Sequence, residues 1–251
     1  MSKIKSMMAS GYAPGLGDGA NYTGTMPALR VDATDPEALR RGLTVATQAI
    51  AAGESIVLPT DTVYGIGCDP FQAAAVEGLL FLKGRTKHMP PPVLVGSTED
   101  ARLLAAEIPD ALEPVLARFW PGGVTVIVQA SPEVVWDLGD TGGTVALRMP
   151  AHDVALELLR KTGPLAVSSA NLTGELSALN VDEAMKQFGD RVPVYVDAGP
   201  VGHTYRDNPG NSGSTIIDAT EMSEGGPWRV VRRGVVSLEA IHAVAPGEWA
   251  G

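Results

Sequence analysis

Cysteine is all but missing. Cys68 alone in 251 residues leaves no partner for an internal disulfide, and the four histidines, His88, His152, His203 and His242, stand singly with no Cys/His grouping at zinc-ligand spacing. This usage suits a reducing cytoplasm and calls for no protein-held metal. Aromatic residues are only 5% of the chain, too few and scattered to suggest a stacking platform for single-stranded nucleic acid. Cations are short as well, 19 against 29 carboxylates, and the net charge of −10 argues against broad binding to nucleic acid or an anionic membrane. Long apolar runs are also lacking. Nowhere do about eighteen uncharged apolar residues follow one another, and residues 1–28 have no continuous apolar stretch of the signal-peptide kind. The chain reads as soluble, unexported and cytoplasmic.

A hydrophobic content of 45% is enough for a substantial core at this length. The small-residue stretch MSKIKSMMASGYAPGLGDGANYTGTMP has no periodicity, so residues 1–28 are expected to be a flexible leader or an added extension, and residues 29–251 the folded domain. DPEALRRGLTVATQAIAAG has early acids, helical spacing and a terminal glycine. ESIVLPT follows as a strand. Helices are expected at about 72–83, 110–119 and 152–161, in DEAMKQFG and at the C-terminus; strands in PPVLVG, GVTVIVQ, TVALRMP, LAVSSAN, VPVYVDAG, STIIDAT and WRVVRRG. That alternation argues an α/β fold.

Polar punctuation marks the candidate sites. In LLFLKGRTKHMPPPVLVG, Lys83, Arg85 and Lys87 crowd around Gly84, a plausible left-handed helix end; the cations either offset the helix dipole or await an anion. In LPTDTVYGIGCDP, Thr60, Asp61, Thr62 and Tyr64 either close a turn or grip a small polar ligand, and Gly65 and Gly67 permit close approach. Ser168, Ser169 and Asn171 emerge at a strand end, without the G-x-S-x-G elbow of a nucleophilic serine. Arg148 and Arg232 extend from strand ends and suit carboxylate or phosphate, or else a salt bridge. The Gly/Asn/Pro-rich segment 199–213 could cover a pocket.

The blocks LPTDTVYGIGCDP, LLFLKGRTKHMP, WPGGVTVIV, VALRMPAHDVA, AVSSANLTG, STIID and RVVRRG occur in the order seen in the YrdC/Sua5/TsaC family, over about residues 38–242. The chain resembles the family's L-threonylcarbamoyladenylate synthases. The resemblance implies a single YrdC-like α/β domain, its twisted, mostly mixed sheet flanked by helices around a positively charged concave site. The remaining chain is too short for the extra domain of the long Sua5 form, which favours the short TsaC-like architecture.

The implied reaction joins L-threonine, bicarbonate or CO2 and ATP into L-threonylcarbamoyladenylate and pyrophosphate, the first step toward the N6-threonylcarbamoyl group on adenosine 37 of tRNA. Lys83 and Arg85 are the implied catalytic cations. Thr62, Arg148, Ser169 and Ser214 correspond to threonine-site positions, and Arg85, Thr144, Asn171 and Arg232 to ATP-site positions; Ser177 is a further ATP contact in a stretch, ELSALN, that departs from the family pattern. Mg2+ would accompany ATP. A downstream threonylcarbamoyl-transferase machinery would take the product, with at most weak contact to tRNA. An RNA-binding module or a related carbamoyl-adenylate-forming enzyme are the alternatives.

Overall fold

The computed structural model describes residues 27–205, 212–245 and 247–250. The expected leader thus lies outside the described residues except for Pro27 and Ala28, and Ala28 packs against the core while its N–H donates to Asp190. Part of the expected cover, 206–211, also lies outside them.

Eleven strands form one sheet: β1 (Leu29–Asp32), β2 (Ile56–Leu58), β3 (Gly65–Cys68), β4 (Val93–Leu94), β5 (Val124–Gln129), β6 (Thr144–Arg148), β7 (Leu165–Ser169), β8 (Val194–Asp197), β9 (Thr215–Asp218), β10 (Trp228–Arg232) and β11 (Trp249–Ala250). Their order is β1-β8-β2-β3-β7-β4-β6-β5-β9-β10-β11. The sheet is mixed. β8 pairs in parallel with β1 and β2, β4 with β6 and β5 with β9, whereas β3–β7, β4–β7 and β5–β6 are antiparallel.

Alternation along the strands divides the core. Ile56, Leu58, Leu94, Leu165 and Val167 face one apolar cluster with the helices Pro36–Ala51 and Asp153–Thr162, while Val57, Val93 and Ala166 face the other, with the helix Ala73–Lys83. The helix Pro36–Ala51 starts where the sequence marks it: the Asp35 carboxylate accepts from the Glu37 N–H, and Pro36 sits where its missing N–H costs nothing. Gly42 lets it settle on β1, because a Cβ there would stand 2.0 Å from Val31 Cγ1.

The short strands β1, β3 and β11 and the helix Thr98–Leu104 are not among the expected elements. β3 is GIGC, two glycines in four residues, and β-propensity gives no sign of a strand there. The geometry explains the composition: a Cβ at Gly65 or Gly67 would come within 2.6 Å of the Val167 methyls on β7.

Candidate active site across one sheet face

Leu94 pairs with Arg148, Thr125 with Ile216, and Ile216 with Arg232, so these residues lie in a row across neighbouring strands on one face of the sheet. A cavity of about 200 Å³ follows this row and continues to Gly65, Val167 and Ser169 on β3 and β7. Arg148 and Ser169 were each expected at a strand end, and each ends its strand. Those ends lie at opposite edges, because β4 runs parallel to β6 and antiparallel to β7. The cavity therefore spans the face instead of sitting at one end.

Seven of the expected site residues line it: Thr62, Arg85, Arg148, Ser169, Ser177, Ser214 and Arg232. Pro90 and Pro92 form part of the wall, as does Leu94. Ser168, a candidate from the same strand end, lines it too and its Oγ accepts from Arg85 at 2.8 Å; so does Thr125, which no sequence signal marks and whose Oγ1 lies 2.7 Å from Ser214 Oγ. Thr125 belongs to an apolar-looking strand, VTVIVQ, and a lone threonine there gives no signal.

Three guanidinium groups face this space. Arg148 is buried: its Nε donates to the Gly122 carbonyl at 2.9 Å, Nη1 to Thr62 at 3.0 Å and Nη2 to Asp61 at 2.7 Å. Among the described residues neither Arg85 nor Arg232 pairs with a carboxylate; Arg232 instead donates to the Ser214 carbonyl at 2.6 Å. Burial depresses the pKa of Arg85, and burial followed by the nearness of Arg148 and Arg85 depresses that of Arg232, yet guanidinium remains charged in proteins. The buried Arg85 Nε has no hydrogen-bond partner. Two cations that pair with no carboxylate among the described residues, in a hydroxyl-lined hollow, suit anionic oxygen.

The remaining expected residues stand elsewhere. Gly84 does end the helix Ala73–Lys83 in the left-handed conformation, φ 64°, but the Lys83 side chain folds inward, 1% exposed, and is absent from the cavity lining. Its Nζ donates to the carbonyls of Ser169 and Asn171. Lys83 is thus neither a solvated helix-end charge nor directed into the cavity. Asn171 lies behind the wall, its Nδ2 donating to the Leu172 and Glu175 carbonyls at 2.9 Å, which ties down the loop carrying Ser177. Thr144 shares the face of Arg148 but stands four residues back along β6, about 13 Å, with its hydroxyl donating to Thr141. Asp61 bonds to Arg148 and does not bond to Tyr64, whose hydroxyl donates to the Gly199 carbonyl at 2.7 Å. Lys87 and His88 face Asp137 and Asp140 at the surface. Among the described residues no three His, Cys, Asp or Glu side chains group as metal ligands, and no helix is long and apolar enough to cross a membrane.

Fold and cavity define a single mixed α/β domain with a cavity lined by arginine and hydroxyl groups. The chain belongs to the Sua5/YciO/YrdC family, whose sequence profile, described as "Telomere recombination", matches residues 48–234. It is 47% identical over 213 residues, 85% of this chain and 93% of the relative, to a Mycobacterium tuberculosis protein provisionally named threonylcarbamoyl-AMP synthase. The crystal structure of P. abyssi Sua5 complexed with L-threonine superposes with a TM-score of 0.76 at 30% identity, over 90% of this chain and 63% of that one. E. coli YciO, at 21% identity and a TM-score of 0.70 over 85% of this chain and 97% of its own, shares the fold.

Proposed function

We propose that this chain is a threonylcarbamoyl-AMP synthase, making L-threonylcarbamoyladenylate and pyrophosphate from L-threonine, bicarbonate or CO2 and ATP for the N6-threonylcarbamoylation of adenosine 37 in tRNA. The observation that carries the reading is the convergence of Arg85, Arg148 and Arg232 with the hydroxyls of Thr62, Ser169 and Ser214 on one cavity, in a chain whose relatives bear that name. The L-threonine bound by the P. abyssi relative supports the amino-acid half.

The threonine amine captures CO2 as a carbamate, whose oxygen attacks the α-phosphorus of ATP while pyrophosphate leaves. No covalent nucleophile from the protein is needed. Arg148 faces the threonine carboxylate, with the hydroxyls of Thr62, Ser169 and Ser214 around the amino acid. Arg85 and Arg232 have no carboxylate of their own among the described residues and take the phosphate oxygens, stabilising charge as it moves to the leaving group. Lys83 fixes the Ser169–Asn171 turn against the site through its two carbonyl contacts. The described lining has no carboxylate, so these residues do not build a Mg2+ site, and Mg2+ would arrive on the triphosphate.

The test is to incubate purified protein with ATP, bicarbonate and individual amino acids and identify products by mass spectrometry. An adenylate that appears with threonine is expected. No adenylate at any Mg2+ or bicarbonate concentration would overturn the reading.

A further inference from the structure

Asp61 is buried and both of its carboxylate oxygens are engaged. Oδ1 accepts from Arg148 Nη2 at 2.7 Å and from the Ala151 N–H at 2.9 Å; Oδ2 accepts from the Tyr205 hydroxyl at 2.6 Å. A carboxylate beside a guanidinium tends toward the two-pronged pairing, in which both oxygens bind the same arginine. Tyr205 occupies the second prong.

The placement of Tyr205 is built into the WPGG turn. A Cβ on Gly123 would stand 2.8 Å from the Tyr205 hydroxyl oxygen, so only glycine lets the phenol approach there. The preceding Gly122 gives its carbonyl to Arg148 Nε at 2.9 Å. One turn thus has the arginine on one residue and the tyrosine against the next. Burial, and then the neighbouring Asp61, raise the pKa of the phenol, which keeps it a hydrogen-bond donor.

We propose that Tyr205 is a positioning residue for amino-acid recognition: by holding Asp61 Oδ2 it keeps the Asp61–Arg148 pair one-pronged and leaves the remaining Arg148 N–H groups to the substrate carboxylate. Without the hydroxyl, Oδ2 is free to turn onto Arg148, and the guanidinium spends on Asp61 the donors that the ligand would use. The inference rests on the threonine-site reading of Arg148.

Tyr205→Phe keeps the ring and removes one donor. In steady-state assays of the full chain, the KM for threonine is expected to rise about threefold to tenfold, the scale of one hydrogen bond, with kcat and the KM for ATP within about twofold of the parent. Titration of threonine in the presence of a nonreactive ATP analogue should show the same loss. An unchanged threonine KM, or matching losses in kcat and both KM values, would overturn the positioning role while leaving the synthase reading intact. A parent protein that neither binds threonine nor forms adenylate would remove both.

Discussion

At the scale of single residues, the two ends of the site should separate by mutation. Arg148→Ala would strand the buried Asp61 carboxylate, a loss of about 3–5 kcal/mol, so Arg148→Lys is the better probe. It keeps the charge and loses the planar fork. Threonine affinity should fall more than about tenfold while ATP binding changes less, and Arg232→Ala should show the reverse bias, both read by titration calorimetry. Normal threonine binding by a folded Arg148→Lys variant would move the carboxylate elsewhere. Lys83 offers a pH signature. Burial, and then Arg85, push its amine from 10.5 down to about 7. Between those values the unfolded chain holds a proton that the folded chain has released, so this group makes stability rise with pH across that window. Denaturant unfolding at several pH values should show that slope in the parent and a flatter one in Lys83→Met; equal slopes would mean that the carbonyl cradle keeps the ammonium charged. Clustered hydroxyls and strand-end arginines marked part of the site in sequence, but Ser214 entered only through the family resemblance and Thr125 not at all. What each touches was not. Asp61 and Arg148 are 87 positions apart, and the inward turn of Lys83 depends on carbonyls 86 and 88 positions away.

At the scale of elements, signals for stability and signals for function can be told apart. Asp35 caps a helix that contributes nothing to the cavity lining, whereas Gly84 ends a helix and sets the path to Arg85. Asp35→Ala and Gly84→Ala should each cost about 1 kcal/mol in chemical denaturation, but only Gly84→Ala should also slow adenylate formation. A normal rate for Gly84→Ala would show that the Arg85 loop finds its place without the left-handed turn. Elements with periodic apolar faces were legible: the helices Pro36–Ala51 and Val181–Phe188 and the strands β5, β7 and β8 fall where spacing and caps put them. Elements defined by a neighbour were not. β3 exists because its glycines fit under Val167, a fact located on another strand. The helix Thr98–Leu104 did carry a legible signal, Ser97 accepting from the Asp100 N–H with acids in the first turn, but at seven residues it shows no sustained apolar face.

At the scale of the molecule, carboxylates outnumber cations by 29 to 19, yet the described lining of the cavity holds arginines and no acid, so the net charge of −10 says little about the field inside it. Ligand should stabilise the whole domain: at about a hundred times Kd, a ligand specific to the folded state adds about 2.7 kcal/mol. Thermal unfolding with threonine and a nonreactive ATP analogue together should show a rise in midpoint; no shift at saturating concentrations would count against the site. The cavity wall runs from Thr60 to Arg232, and its strands pair partners far apart in the chain, Val124 of β5 with Thr215 of β9 among them. No fragment lacking either end can present this surface, and the wall is complete only after non-local pairings such as that of β5 with β9 have formed. Occupancy therefore acts as a clamp on the global opening of the chain. Amides that exchange with solvent only when the entire sheet comes apart, even on strands remote from the cavity such as β1 and β8, will be slowed by a molecule they never touch.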